Sequence, residues 1–172
     1  AKQLARWLYV RHEEDPLKMS DIAVANRTKL AERSAPALSA PVRVSESADG
    51  TKKYLFRTHR GAYVESAYIP DGDRATLCVS SQAGCRMGCR FCATGRQGLQ
   101  HSLSGAEILN QIVSLPERDR LTNVVFMGMG EPLDNTGEVL RALEIITAPW
   151  GFGWSPTRVT LSTSGVVPQL RR

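Results

Sequence analysis

The sequence predicts an α/β fold, a partial (β/α) barrel preceded by a small helical region and a β-meander, and three observations carry that expectation. From Ala75 onward apolar strand-like runs alternate with amphipathic helical runs; before it, short β runs are punctuated by Asp49-Gly50 and Arg60-Gly61; the first forty residues follow a helical period. Apolar strands separated by helices pair in parallel with both faces covered, the TIM-like arrangement.

In the helical accessory region, residues 1–40, Leu4, Trp7 and Leu8 share one stripe. Ile22, Ala25 and Leu30 continue a second helix expected to start at Ser20 or Asp21, and Pro36 and Pro41 close the segment. Residues 41–74 form the β-meander, with two hairpins between Val42 and Ile69. Residues 75–172 give strand Ala75 to Ser81, helix Ser104 to Leu115, strand Asn123 to Met127, helix Thr136 to Thr147 and strand Arg158 to Ser162. Ser104-Gly105-Ala106-Glu107 is a capping-box signature, and Ile108, Ile112 and Leu115 form the stripe that packs on a sheet. A complete eight-fold barrel takes about 250 residues, so only three strand-helix units fit. Gln169-Leu170-Arg171-Arg172 reads as a helix under way, and the chain is expected to be the N-terminal portion of a longer protein.

With 42% hydrophobic and 23% charged residues the chain falls among ordinary globular proteins, without repeats or low-complexity tracts. No apolar run approaches the roughly 20 residues of a membrane span, and Ala1-Lys2-Gln3-Leu4-Ala5-Arg6 lacks the apolar core of a secretory signal, so a cytoplasmic location is expected. Three of the four cysteines crowd into eight positions, which reads as metal ligation in a reducing compartment rather than as disulfides. The net charge of +5 suits a polyanionic partner such as RNA. Arg86, Arg90 and Arg96 lie in a carboxylate-free stretch around the cysteines, where they equally offset an anionic thiolate cluster.

The chemistry centres on Gly84-Cys85-Arg86-Met87-Gly88-Cys89-Arg90-Phe91-Cys92. The spacing Cys85-x3-Cys89-x2-Cys92 can hold three irons of a [4Fe-4S] cluster and leaves the fourth open to a small molecule. Gly84 and Gly88 let the loop curl, and the strand before it delivers the loop to the sheet's C-terminal edge, where barrel active sites lie. The alternative is a zinc knot with Cys78 as fourth ligand, although zinc sites usually come as two separated pairs. Further on, Val124-Val125-Phe126-Met127-Gly128-Met129-Gly130-Glu131-Pro132 is a strand entering a glycine loop that presents a carboxylate, suited to a cationic ammonium group. Leu161-Ser162-Thr163-Ser164-Gly165 places Ser162 at the matching rim of the next strand, as a donor or as the cap of a turn.

The cysteine triad with Phe91 before its last member, followed by Gly130-Glu131-Pro132, resembles the signature of radical S-adenosylmethionine enzymes. That resemblance implies a [4Fe-4S] cluster on Cys85, Cys89 and Cys92, and S-adenosyl-L-methionine bound by Phe91, Gly130, Glu131 and Ser162. Cys78-Val79-Ser80-Ser81-Gln82-Ala83-Gly84-Cys85, the Met127 to Pro132 run, and Arg158-Val159-Thr160-Leu161-Ser162-Thr163-Ser164-Gly165-Val166-Val167-Pro168 further resemble the RlmN and Cfr family of RNA methyltransferases. The likeness is faint over Ala1 to Ala40 and strong from Tyr63 onward.

The family resemblance implies methylation of C2 of an adenosine in 23S rRNA and tRNA, a carbon too electrophilic to attack a methyl sulfonium directly. In the family a cysteine carries the methyl group, its carbon radical adds to the base, and a second cysteine releases the adduct through a transient disulfide. Cys78 matches the releasing cysteine, its plain alternative being a small core residue. Glu65, on the same side of its strand as Tyr63, Ala67 and Ile69, matches the family's proton acceptor; a carboxylate in apolar company costs energy unless paired. A one-electron donor such as flavodoxin is implied as a partner. The family's methyl-carrying cysteine lies near the far C-terminus, and no cysteine follows Cys92 here. The rival readings are another enzyme of the superfamily, which has no use for Cys78, and a non-catalytic, metal-stabilised RNA-binding module. His12, His59 and His101 are far apart in sequence and give no ligand pattern.

Overall fold

The computed structural model describes residues 2–33 and 38–170. Its frame is a six-stranded mixed sheet in the order β1-β2-β3-β4-β7-β8. Strands β1 (Arg43–Glu46), β2 (Lys52–Arg57), β3 (Tyr63–Asp71) and β4 (Arg74–Cys78) form an antiparallel meander, and β4 then pairs in parallel with β7 (Asn123–Phe126), as β7 does with β8 (Val159–Leu161). A third hairpin turn at Gly72-Asp73 joins β3 to β4, so one continuous sheet crosses the expected boundary at residue 74. Gly72, at φ +55°, takes the first of the two central positions, the Gly-first pattern of tight two-residue connections. Expected elements recur with shorter ends: β4 stops at Cys78 and β8 at Leu161, and beyond them Ser80 N turns to the Gln111 side chain, Ser81 N to the Met129 carbonyl and Ser164 N to the Glu131 carboxylate.

One face of the sheet is covered by α4 (Gly105–Val113) and α5 (Thr136–Thr147). Tyr54, Phe56, Val64, Tyr68, Leu77, Val124 and Phe126 point to it, against Ile108, Ile112, Val139 and Ile146, all nearly inaccessible. Each such side chain contributes about 1.5–3 kcal/mol by burial, so this face is the principal source of stability. The capping box of α4 is complete: Ser104 Oγ accepts from Glu107 N at 3.2 Å and Glu107 Oε2 accepts from Ser104 N at 3.0 Å.

The opposite face carries, on matched positions, Ala67, Cys78, Val125 and Thr160, and two residues along β3 from Ala67, Glu65. Pleating therefore sets Glu65 and Cys78 on the same face as diagonal neighbours.

The accessory region contains α1 (Lys2–Tyr9) and α2 (Val24–Arg33). The second helix begins at Val24 rather than at Ser20 or Asp21 because Asp21 is engaged elsewhere: its carboxylate accepts from Trp7 Nε1 and its carbonyl from Gln3 Nε2. Pro36 lies outside the described residues. A short final helix, α6 (Val167–Leu170), is present where the sequence reads as helical; Arg171 and Arg172 lie outside the described residues. Among the described residues no helix is long and apolar enough to cross a membrane.

Candidate active site

The cysteine loop leaves the sheet as a two-stranded ribbon, β5 (Gln82–Ala83) against β6 (His101–Ser102), with α3 (Ala93–Gln97) between them. Gly84 sits at φ +75°, and a Cβ there would come within 1.8 Å of the Gly98 carbonyl oxygen. Only glycine allows the two legs of the loop to close so tightly, and Cys85 N donates to that same oxygen at 3.2 Å. Cys85 is buried, whereas Cys89 and Cys92 are partly exposed, and all are free thiols. The Gly95 backbone amide, with help from Thr94 and Arg96, holds the Cys92 thiol below the ordinary cysteine value despite some burial. The lowered value favours the thiolate, the form that binds metal.

Across from this loop, the residues after β7 are packed onto the strand that enters the cysteine loop. Gly128 N donates to the Val79 carbonyl at 3.1 Å, Met129 N to Ser80 Oγ at 2.9 Å, and Ser81 N to the Met129 carbonyl at 2.8 Å. Added Cβ atoms at Gly128 and Gly130 would lie 2.7 Å from the Val79 oxygen and 2.5 Å from Gln82 Cβ, so both glycines are required by close approach. Ser80 is itself locked by the buried Gln111 amide, which accepts from Ser80 N and donates to Ser80 O, each at 2.9 Å.

This packing turns Glu131 inward, where it is only 4% exposed. Its carboxylate accepts from Thr163 Oγ1 at 2.6 Å, Ser164 N at 2.7 Å, Ser164 Oγ at 2.8 Å and Leu133 N at 3.0 Å. Burial pushes this carboxyl up, but the hydrogen bonds from Thr163, Ser164 and Leu133 outweigh it and hold the group below its ordinary value. All four donors are neutral, and among the described residues no Lys, Arg or His pairs with it. An ionised, buried carboxylate without a cationic partner is a favourable neighbour for a ligand cation.

The two loops line one open cleft of about 390 Å³. Cys85, Cys89, Cys92 and Phe91 form one wall; Gly130, Glu131, Ser162, Thr163 and Ser164 form the other. Every metal and cofactor position expected from the sequence thus lies on it. Phe91 is 92% exposed at its mouth. Among the described residues no three His, Cys, Asp or Glu side chains converge tightly enough for a single metal ion. A cubane takes each thiolate on a separate iron and so spreads its ligands further than one zinc does. Three thiols on one loop, one of them acidified, and a glycine-lined wall beside them fit a cluster with a small organic ligand.

Cys78 does not line that cleft. It lies on β4, where burial pushes its thiol up while a hydrogen bond from the Met127 backbone pulls the other way. Glu65 is about half exposed, and its carboxylate pairs with Lys53 Nζ at 3.0 Å, so the charge expected in apolar company has a partner. His59 and His101, unconnected in sequence, meet edge to face at 6.1 Å, and His59 Nδ1 lies 2.7 Å from Glu107. Sequence reasoning passes over Gln82, Thr163 and Ser164. The available signal is weak: polar residues flanking a glycine turn, a pattern shared by ordinary loops.

The Radical SAM superfamily model matches residues 79–172, more than half of the chain. The chain belongs to this superfamily. Among curated proteins it is 59% identical over 164 residues to the "Probable dual-specificity RNA methyltransferase RlmN" of Porphyromonas gingivalis, covering 95% of this chain and 48% of that protein. It is 47% identical over 170 residues to the "Dual-specificity RNA methyltransferase RlmN" of Geotalea uraniireducens, covering 99% of this chain and 50% of the relative. The crystal structure of a radical SAM methyltransferase from Sphaerobacter thermophilus superposes with a TM-score of 0.86 at 39% identity, covering 97% of this chain and 51% of that one. The chain spans about half the length of the curated relatives it matches. Membership in the radical SAM superfamily implies an iron-sulfur cluster and S-adenosylmethionine, and the mixed α/β sheet has the fold of the solved methyltransferase.

Proposed function

We propose that this chain is the cofactor-binding portion of an RlmN-type enzyme that methylates C2 of adenosine in 23S rRNA and tRNA in the cytoplasm, drawing electrons from a donor such as flavodoxin. The observation that carries the reading is the single cleft shared by the cysteine triad and Glu131, in a chain 59% identical to a protein named for that activity. Cys85, Cys89 and Cys92 would hold three irons of a [4Fe-4S] cluster, which with S-adenosylmethionine supplies one-electron cleavage of the sulfonium.

The remaining roles belong to the chain's own side chains. Glu131, ionised and lacking a cationic partner, offers its charge to the methionyl ammonium, while Gly130 allows the backbone to approach it. Ser162 supplies a hydroxyl from the end of β8, and Phe91 covers the mouth of the cleft with an aromatic face. Cys78 keeps its proton on Sγ at neutral pH, because burial raises it, until the resolving step calls for the thiolate. Glu65, on the same face and held by Lys53, accepts the proton lost from the modified base. In this reading residues 1–40 are the helical accessory region, 41–74 the β-meander and 75–172 the first part of the barrel, with one sheet running across the second boundary.

The discriminating test uses the full-length protein with Cys78→Ala. Accumulation of a covalent protein-RNA adduct supports the resolving role; normal release of methylated RNA removes it and favours another superfamily activity. One bound zinc per chain and no spectral response to S-adenosylmethionine would favour the non-catalytic RNA-binding module.

A further inference from the structure

One buried amide joins the two loops. Gln82 has no exposed surface. Its Oε1 accepts Glu131 N at 2.9 Å, while its Nε2 donates to Asp134 Oδ2 at 2.8 Å and to Ser102 Oγ at 3.1 Å. The same Asp134 oxygen receives Arg86 Nε at 2.8 Å, from the residue that follows Cys85. Ser102 belongs to the returning leg of the cysteine loop, and Gly130 lies flat against the Gln82 stem. Both legs of the cysteine loop and the start of the carboxylate segment therefore meet at this one side chain.

The contacts specify the residue chemically. The Glu131 N–H requires an acceptor and the Asp134 carboxylate requires a donor. Among neutral side chains of this length only an amide offers both, and the partners fix which end faces which. Leucine or methionine would fill the space but leave a buried N–H and a carboxylate oxygen short of a partner, and glutamate would set two carboxylates against each other.

We propose that Gln82 is a positioning residue for cofactor binding, setting the spacing between the cysteine loop and the Glu131 loop. The inference rests on the superfamily reading of the cleft. A ligand that must satisfy both walls binds at full strength only when their separation is fixed in advance.

The test is a donor-acceptor exchange in the full-length protein. Gln82→Glu keeps volume and the acceptor for Glu131 N but opposes Asp134; Gln82→Glu combined with Asp134→Asn restores a complementary pair between the two side chains, while the largely exposed Arg86 gives up the Asp134 oxygen it shared with Gln82 and turns to water. In metal-free protein, amide hydrogen exchange over residues 127–133 should quicken about tenfold in Gln82→Glu and return to within about threefold of wild type in the double variant. In cluster-loaded protein, the dissociation constant for S-adenosylmethionine should rise about tenfold and recover in the same way. Wild-type affinity in Gln82→Glu, or a double variant as weak as the single, overturns the assignment of Gln82 alone. Wild-type protein that never binds S-adenosylmethionine overturns the superfamily reading of the cleft and this inference with it. If Gln82→Glu does not fold, Gln82→Met carries the test: weakened binding upholds the role and unchanged binding overturns it.

Discussion

The two walls of the cleft are built in opposite ways. On the carboxylate wall the charged group is tied to the protein: Glu131 accepts four hydrogen bonds, and the glycine loop is pinned to residues 79–82 through backbone and hydroxyl contacts. On the cysteine wall the loop is closed at its base by Gly84 and Gly98, while two thiols and the Phe91 ring stand toward the opening. One wall holds a fixed negative charge and the other leaves its thiols open, as the proposed organic cation and iron-sulfur cluster would require. Electrostatic preorganisation is most useful where the charge to be met is fixed in advance.

The cysteine wall should break most completely. Cys89→Ala in the full-length protein is expected to lower iron content well below four per chain and to abolish 5′-deoxyadenosine formation, read by iron analysis and chromatography. On the other wall, Gly130→Ala forces φ +98° on an alanine and drives a methyl into Gln82. Strain and overpacking together should cost about 2–6 kcal/mol by denaturant unfolding.

Thr163→Val removes one charge-assisted hydrogen bond from Glu131 and should cost about 1.5–3 kcal/mol. The Glu131 carboxyl is held below its ordinary 4.5, so its stabilising contribution is complete above that value and lost as pH falls through the lower folded-state value. The stability gap between wild type and Glu131→Gln should therefore narrow in acid, as measured by thermal unfolding. At the small end, Lys53→Ala removes a pair in which both partners are about half exposed, so stability should change by no more than about 1 kcal/mol.

Much of this was legible in the chain because the determinants are local. The Ser104 to Glu107 capping box, the Ile108 and Ile112 stripe and the cysteine spacing each act within a few residues, and each appears where expected. The start of α2 was not legible, since Asp21 is drawn away by Trp7 and Gln3 from another element. The same holds for the site. Glu131 could be placed on the rim from its own loop, but Thr163, Ser164 and Gln82 reach it across sequence gaps of 32, 33 and 49 residues. Periodicity and spacing carry no record of such contacts. The meeting of His59 with His101 was hidden for the same reason.

The most direct test of the central claim is anaerobic reconstitution of the full-length protein, followed by reduction with S-adenosylmethionine present. About four irons and four sulfides per chain, with formation of 5′-deoxyadenosine, are expected. A protein that binds no iron, or that holds the cluster and never forms 5′-deoxyadenosine, contradicts the claim.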